Sequence, residues 1–292
     1  MRVLSARGAW GAVLCAAALL FLAPWAVAEE KEANPQQAGA VERVEKQLES
    51  IQSRMLALQE QEFNVNLKVM DAQQRANKCV ENPGNAASEI AKGGKNPKLR
   101  EYKSIMLTCA QQLQAFDGKL APLLKSLAAL ERDRAAVPDN VKARIDEVAS
   151  RVKSKHRTNL EKIANVYEQT AEWRPALTIY LGFYKEKPEA ERLKDRTLSE
   201  KIADLYDKSG DPRNALAIYK GLFEGKKPNE RYNDRGLGEK LGDAYEKCGD
   251  LKAAFTTYKG LLDALPKDKR DTDGKGLQEK MEKISKKGGA KK

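Results

Sequence analysis

At 292 residues, with 41% hydrophobic and 33% charged side chains, the chain can hold one large domain or two ordinary ones and suits a soluble, helix-rich protein. Aromatic residues reach only 6%, which excludes a thick aromatic core, and a net charge of +11 poses the question of an anionic partner. Basic residues are not interleaved with aromatics, and the single histidine forms no ligand cluster with the four cysteines, so the composition predicts no nucleic acid, no metal and no cofactor.

Residues 1–28 read as a signal peptide. Arg2 and Arg7 precede an apolar run from Gly11 to Pro24, and Ala26-Val27-Ala28 supplies a small-residue cleavage site. The run falls short of the roughly 20 apolar residues of a retained anchor. Cys15 lacks the small residue before it that a lipoprotein signal requires. Cleavage after Ala28 predicts a periplasmic or secreted protein with a net charge of +9.

Residues 29–40 form a polar linker, and 41–138 carry two apolar seams. The first runs Val41, Val44, Leu48, Ile51, Met55, Leu58, Val65, Val69, Ala72, Ala76 and Cys79, broken only by Glu62. The second runs from Leu99 through Tyr102, Met106, Cys109, Leu113, Phe116, Leu120, Leu123 and Leu127 to Leu130, with Gly118 and Pro122 predicting a kink. The 3-4 spacing specifies coiled coil. The intervening NPGNAASEIAKGGKNP breaks helix at both ends, so the pair reads as an antiparallel hairpin, with self-association of the first helix as the alternative. Cys79 and Cys109 both lie on seam positions. Setting them opposite each other aligns Ala72 with Phe116, Val65 with Leu123 and Leu58 with Leu130, which predicts a disulfide; two buried free thiols are the other reading.

Pro138 closes the hairpin, and the helix beginning at Asp139-Asn140 carries apolar residues on towards Tyr167, so that one long helix can lead into the next region. A repeat domain is assigned to 139–285, within which the chain repeats every 39 residues. Ile163, Ile202 and Leu241 correspond, as do Tyr167, Tyr206 and Tyr245; Ala176, Ala215 and Ala254; and Tyr180, Tyr219 and Tyr258. Arg192, Arg231 and Arg270 are each followed three residues later by an aspartate. Each unit reads as two helices, with Gly210-Asp211-Pro212 and Gly249-Asp250 as turns between them and Ala171-Glu172-Trp173 as a different turn in the first. Gly182, Gly221 and Gly260 suggest close approach of a neighbouring helix, and the tyrosine stripe is expected to be core. Cys248 aligns with Ser209 and Thr170 and reads as a small turn residue.

These residues resemble the tetratricopeptide repeat family in their pattern of large apolar, small, Tyr, then Ala, aromatic and Pro, as in Ile163-Ala164, Tyr167, Ala176, Tyr180 and Pro188. The family unit is shorter, and the excess here lies in the loops after each second helix. The seams and the resemblance together predict an all-α chain: an N-terminal antiparallel coiled-coil hairpin from the seams, then an αα-solenoid of three repeats with a capping helix at Leu277–Ile284 from the resemblance. The order is similar to that of the periplasmic repeat proteins that coordinate cell division with the Tol-Pal system.

The sequence shows no clustered His, Ser or Cys constellation, so no catalytic residues and no enzyme are predicted. The resemblance implies a partner-binding face on the first helix of each unit: Glu161, Asn165 and Glu168; Glu200, Asp204 and Asp207; Glu239, Asp243 and Glu246. Acids fill eight of the nine positions, which suits a basic protein or peptide partner and not capture of an acidic C terminus. A solvated face paired with Lys162, Lys201 and Lys240 is the plainer reading. Residues 286–292 read as a disordered basic tail, and an envelope-structural protein tethered through it to anionic lipid or wall polymer is the alternative function.

Overall fold

The structure, a computed structural model, describes residues 35–80, 86–91 and 96–289. The predicted signal peptide, the first half of the linker and the last three residues lie outside them. Every regular element among the described residues is helical, and no helix among them is long and apolar enough to cross a membrane.

The first seam forms α1 (Pro35–Asn77), which begins with a proline at its first position, six residues before the linker was expected to end. A short α2 (Ala86–Ala91) follows. The second seam forms α3 (Pro97–Gly118), where Asn96 caps the helix by accepting from the Lys98 amide at 3.0 Å. The expected kink is a break, and the seam resumes as α4 (Leu120–Leu130).

The hairpin has a third member. Helix α5 (Asp139–Gln169) packs its first half, Val141, Ile145, Val148 and Val152, against Val44, Leu48 and Ile51 of α1 and Leu120, Leu123, Leu127 and Leu130 of α4. Its second half packs Ile163 against Val65, Cys109 and Leu113, and Val166 against Ala72, Met106 and Ala110. The coiled coil is therefore a three-helix bundle that shares α5 with the repeat region.

This packing overturns the predicted disulfide. Val65 meets Leu113 and Ala72 meets Met106, a register about ten residues, or roughly three helical turns, away from the one that aligns the cysteines. Cys79, just past the end of α1, lies beside Tyr102. Cys109 stands seven residues further along α3, about 10 Å at 1.5 Å per residue, beyond disulfide reach. Both thiols are free, and burial pushes that of Cys109 above its ordinary range.

The repeats follow as α6 (Trp173–Glu186), the single turn α7 (Glu189–Arg192), α8 (Arg196–Lys208), α9 (Pro212–Glu224), α10 (Arg235–Cys248) and α11 (Leu251–Ala264). The second half of α5 serves as the first helix of the first unit. Helix α12 (Lys275–Gly289) covers the last apolar face with Leu277 and Ile284 against Tyr258 and Leu261. The predicted disordered tail is thus corrected at its start: residues 286–289 remain helical, and Lys287 Nζ lies 2.6 Å from Glu246.

All three units turn alike between their helices. The amides of Glu172, Asp211 and Asp250 donate to the carbonyls of Tyr167, Tyr206 and Tyr245 at 2.8, 2.9 and 3.0 Å, a Schellman closure that needs a left-handed residue just before. Gly210 and Gly249 supply it with φ of 86° and 84°. The first unit was expected to turn differently, yet Ala171 takes the same conformation at φ 60°. Glu172 does differ from Asp211 and Asp250: it makes no side-chain cap and instead binds Lys103 of α3 at 2.7 Å, tying the turn to the hairpin.

The recurring Arg and Asp close the loops. Arg231 and Arg270 donate to carbonyls five and seven residues back, and Arg192 to the one five back, at the C-terminal ends of α6, α9 and α11. Asp195 and Asp234 cap α8 and α10 through the Leu198 and Leu237 amides. Of the glycines in the second helix of each unit, two receive loop side chains, not a helix: a Cβ at Gly221 would lie 2.9 Å from Leu193, and one at Gly260 2.2 Å from Tyr232, while Gly182 faces open space.

Candidate functional site

Positions i, i+4 and i+7 share a helix face, so each first helix presents its three predicted residues together. Contacts between successive helices join these faces into one surface. Lys201 on α8 reaches back to Glu168 on α5 at 3.0 Å. Lys240 on α10 reaches Asp204 on α8 at 2.9 Å and Glu200 at 3.4 Å. Lys280 on α12 reaches Asp243 on α10 at 2.6 Å. These lysines recur with the repeat and form the rungs of a ladder.

A tyrosine from the second helix of each unit completes each rung. Tyr180 donates its hydroxyl to Glu168 at 3.0 Å, Tyr219 to Asp204, and Tyr258 to Asp243 at 2.5 Å. The lysine ammonium of the rung also lies over that ring, at 5.8, 5.9 and 5.2 Å from the centroid. Burial, reinforced by the bonded carboxylate, pushes all three phenols above their ordinary range, so they remain donors. For Lys240, burial favours the neutral amine, but the bond to Asp204 prevails and raises it. Asn165 explains why the first rung uses Glu168: it occupies the position of Asp204 and Asp243 without a charge and bonds Gln169 at 3.0 Å.

The remaining predicted acids are paired as well. Glu161, Glu200 and Glu239 each bond an arginine four residues earlier, Arg157, Arg196 and Arg235. Asp207 binds Lys247. Glu246 binds Lys287 and Lys283, which hold its carboxyl below the ordinary range. The nine residues thus lie on one surface, but it is a lattice of alternating charge rather than a bare acidic groove.

The ladder begins outside the repeats. Glu62, the break in the first seam, is only 2% exposed. It accepts from Lys162 at 2.7 Å, from Lys155, and from Asn66 at 3.2 Å. The buried Asn159 amide, with its nitrogen turned to the carboxylate, adds bonds of 3.1 and 3.2 Å. Burial raises the Glu62 carboxyl, but the two lysines outweigh it and hold the group below the ordinary range. Lys162 is the first-unit counterpart of Lys201 and Lys240, so the hairpin provides the acid that a preceding repeat would otherwise supply. Beside it, Asp117 on α3 meets His156 on α5 at 2.7 Å, and burial pushes the Asp117 carboxyl up against the pull of the histidine.

Sequence reasoning found the acids and the neighbouring lysines but missed the tyrosine hydroxyls and Glu62. The constant spacing from Asp204 to Tyr219 and from Asp243 to Tyr258 was the available signal for the first, and a charge interrupting an apolar seam for the second. No group of three or more metal-ligating side chains occurs among the described residues.

A comparison with protein families matches residues 239–272, the third unit, to the tetratricopeptide repeat. A comparison with curated proteins finds no match.

Proposed function

We propose that this chain, whose third unit matches the tetratricopeptide repeat, is a non-enzymatic, exported repeat scaffold that binds a partner protein along the ladder face, through a basic segment of that partner. The observation that carries this reading is the unequal strength of the charge pairs on the face. The central rungs are braced by a tyrosine, half-buried at Tyr180 and buried at Tyr219 and Tyr258, and are poor sites for exchange. The outer row is different: Arg157–Glu161, Arg196–Glu200 and Arg235–Glu239 are pairs within one helix turn, each with a substantially exposed arginine, and Lys240 and Lys280 only brush Glu200 and Glu239 at 3.4 and 3.9 Å while Arg196 keeps a second partner in Asp234. Such pairs contribute little stability, typically about 0.3–0.5 kcal/mol. A partner's lysine or arginine can replace the intramolecular arginine at little cost, while the fixed rungs keep the acids one repeat apart.

Fluorescence anisotropy with a labelled lysine-rich peptide tests this. Binding should weaken with salt and fall at least tenfold in the Glu161→Gln/Glu200→Gln/Glu239→Gln variant. Equal binding by that variant, or preferential binding of an acidic C-terminal peptide lost on Asn165→Ala, would refute the basic-segment reading.

A further inference from the structure

Four large apolar side chains of α1 face away from the core: Leu56, Phe63, Leu67 and Met70, which are 63%, 54%, 48% and 65% exposed. Their separations of seven, four and three residues place them on one stripe about 21 Å long. This is a second heptad seam on a helix whose first seam, through Met55, Val65 and Ala72, is consumed by the bundle. Glu60 lies on the same exposed line, and Lys68 stands on the flank of the helix between that line and Cys109 of α3. Neither forms an ion pair among the described residues, whereas every acid on the ladder face has a cation.

We propose that this seam is a homodimer interface, occupied by α1 of a second copy running antiparallel. Leu56 and Met70 each stand seven residues from Phe63, so a two-fold axis at Phe63 sets Phe63 on its counterpart and Leu56 on the second copy's Met70, an isologous contact. The charges select the direction. A parallel pair would press Glu60 against Glu60 inside an apolar seam, where like charges are unfavourable. The antiparallel pair brings Glu60 within about 3 Å, along the axis, of the level of the second copy's Lys68, twice over. A stripe of this length makes a small interface, near the lower limit of about 1,000 Å², and therefore a reversible dimer.

Sedimentation velocity of the purified protein from about 1 to 200 µM, a range spanning the affinities expected of so small an interface, provides the test. The wild type should associate reversibly. Phe63→Glu and Glu60→Lys should each raise the dimer Kd at least tenfold, and Glu60→Lys/Lys68→Glu should return it to within about threefold of the wild type. All these positions are exposed, and thermal melts by circular dichroism establish that each variant is folded. A wild type that stays monomeric, a dimer unaffected by Phe63→Glu, or a swap that fails to rescue overturns the proposal. So does flotation of the monomer with phosphatidylglycerol vesicles that Phe63→Glu abolishes, an outcome that assigns the stripe to a lipid surface. Loss of dimerisation with peptide binding intact separates this inference from the ladder-face reading.

Discussion

Glu62 shows how one polar residue can organise an apolar seam. A carboxylate in a coiled-coil core is costly unless paired, and removing one member of a buried pair leaves the rest uncompensated. Lys155 and Lys162 keep part of their surface in water, so the expected cost of Glu62→Gln is about 2 kcal/mol, below the upper range for fully enclosed pairs. The pH dependence has a definite sign. The folded-state carboxyl sits below its ordinary value of 4.5, so its contribution is complete above that value and is lost as pH falls through the lowered one. Thermal melts across pH 3 to 7 should therefore show wild type above Glu62→Gln at neutrality, with the gap closing at acid pH. A gap independent of pH would refute the ionised clamp.

Among the elements, the repeat was the most legible part of the chain, because its packing is local. Small residues at Ala203 and Ala215 and the aromatic Tyr219 meet within one unit, and the 39-residue period needs no long-range information. The hairpin register was misread for the opposite reason. A heptad seam looks nearly the same after a shift of about three turns, so apolar spacing alone cannot choose the alignment. What chooses it is the meeting of Glu62 with Lys155 and Lys162, about a hundred residues later, and the packing of Ile163 onto Leu113. Two cysteines on seam positions offered a false anchor. The turn of the first unit was missed because alanine rarely adopts positive φ, yet the Schellman bonds impose it. Ala171→Gly should relieve that strain and stabilise the protein by about 1 kcal/mol, seen as a rise in Tm. An unchanged or lower Tm would show that Ala171 is not strained.

For the whole molecule, the shared helix α5 joins two regions that sequence alone divides at Pro138. Repeat arrays need capped ends, and here the bundle caps the first unit with Val65, Leu113 and Phe116 against Ile163 and Leu160. Deleting residues 35–138 would uncover that face. The expected result is a lower, broader melt in which the last units persist while the first frays, measurable by circular dichroism and amide exchange; a sharp, unshifted melt would mean that the bundle is a passive appendage.

Lys162 on Glu62, Lys201 on Glu168, Lys240 on Asp204 and Lys280 on Asp243 make four rungs, bounded by the bundle at one end and by α12 at the other. A ladder closed at both ends has a reading frame. A partner with regularly spaced charges that slides by one unit must leave a site empty at one end and overhang a terminus at the other. On the proposed ladder-face reading, the contact made by Glu62 in the interior of a coiled coil would fix where, along a face of near-identical units, recognition begins.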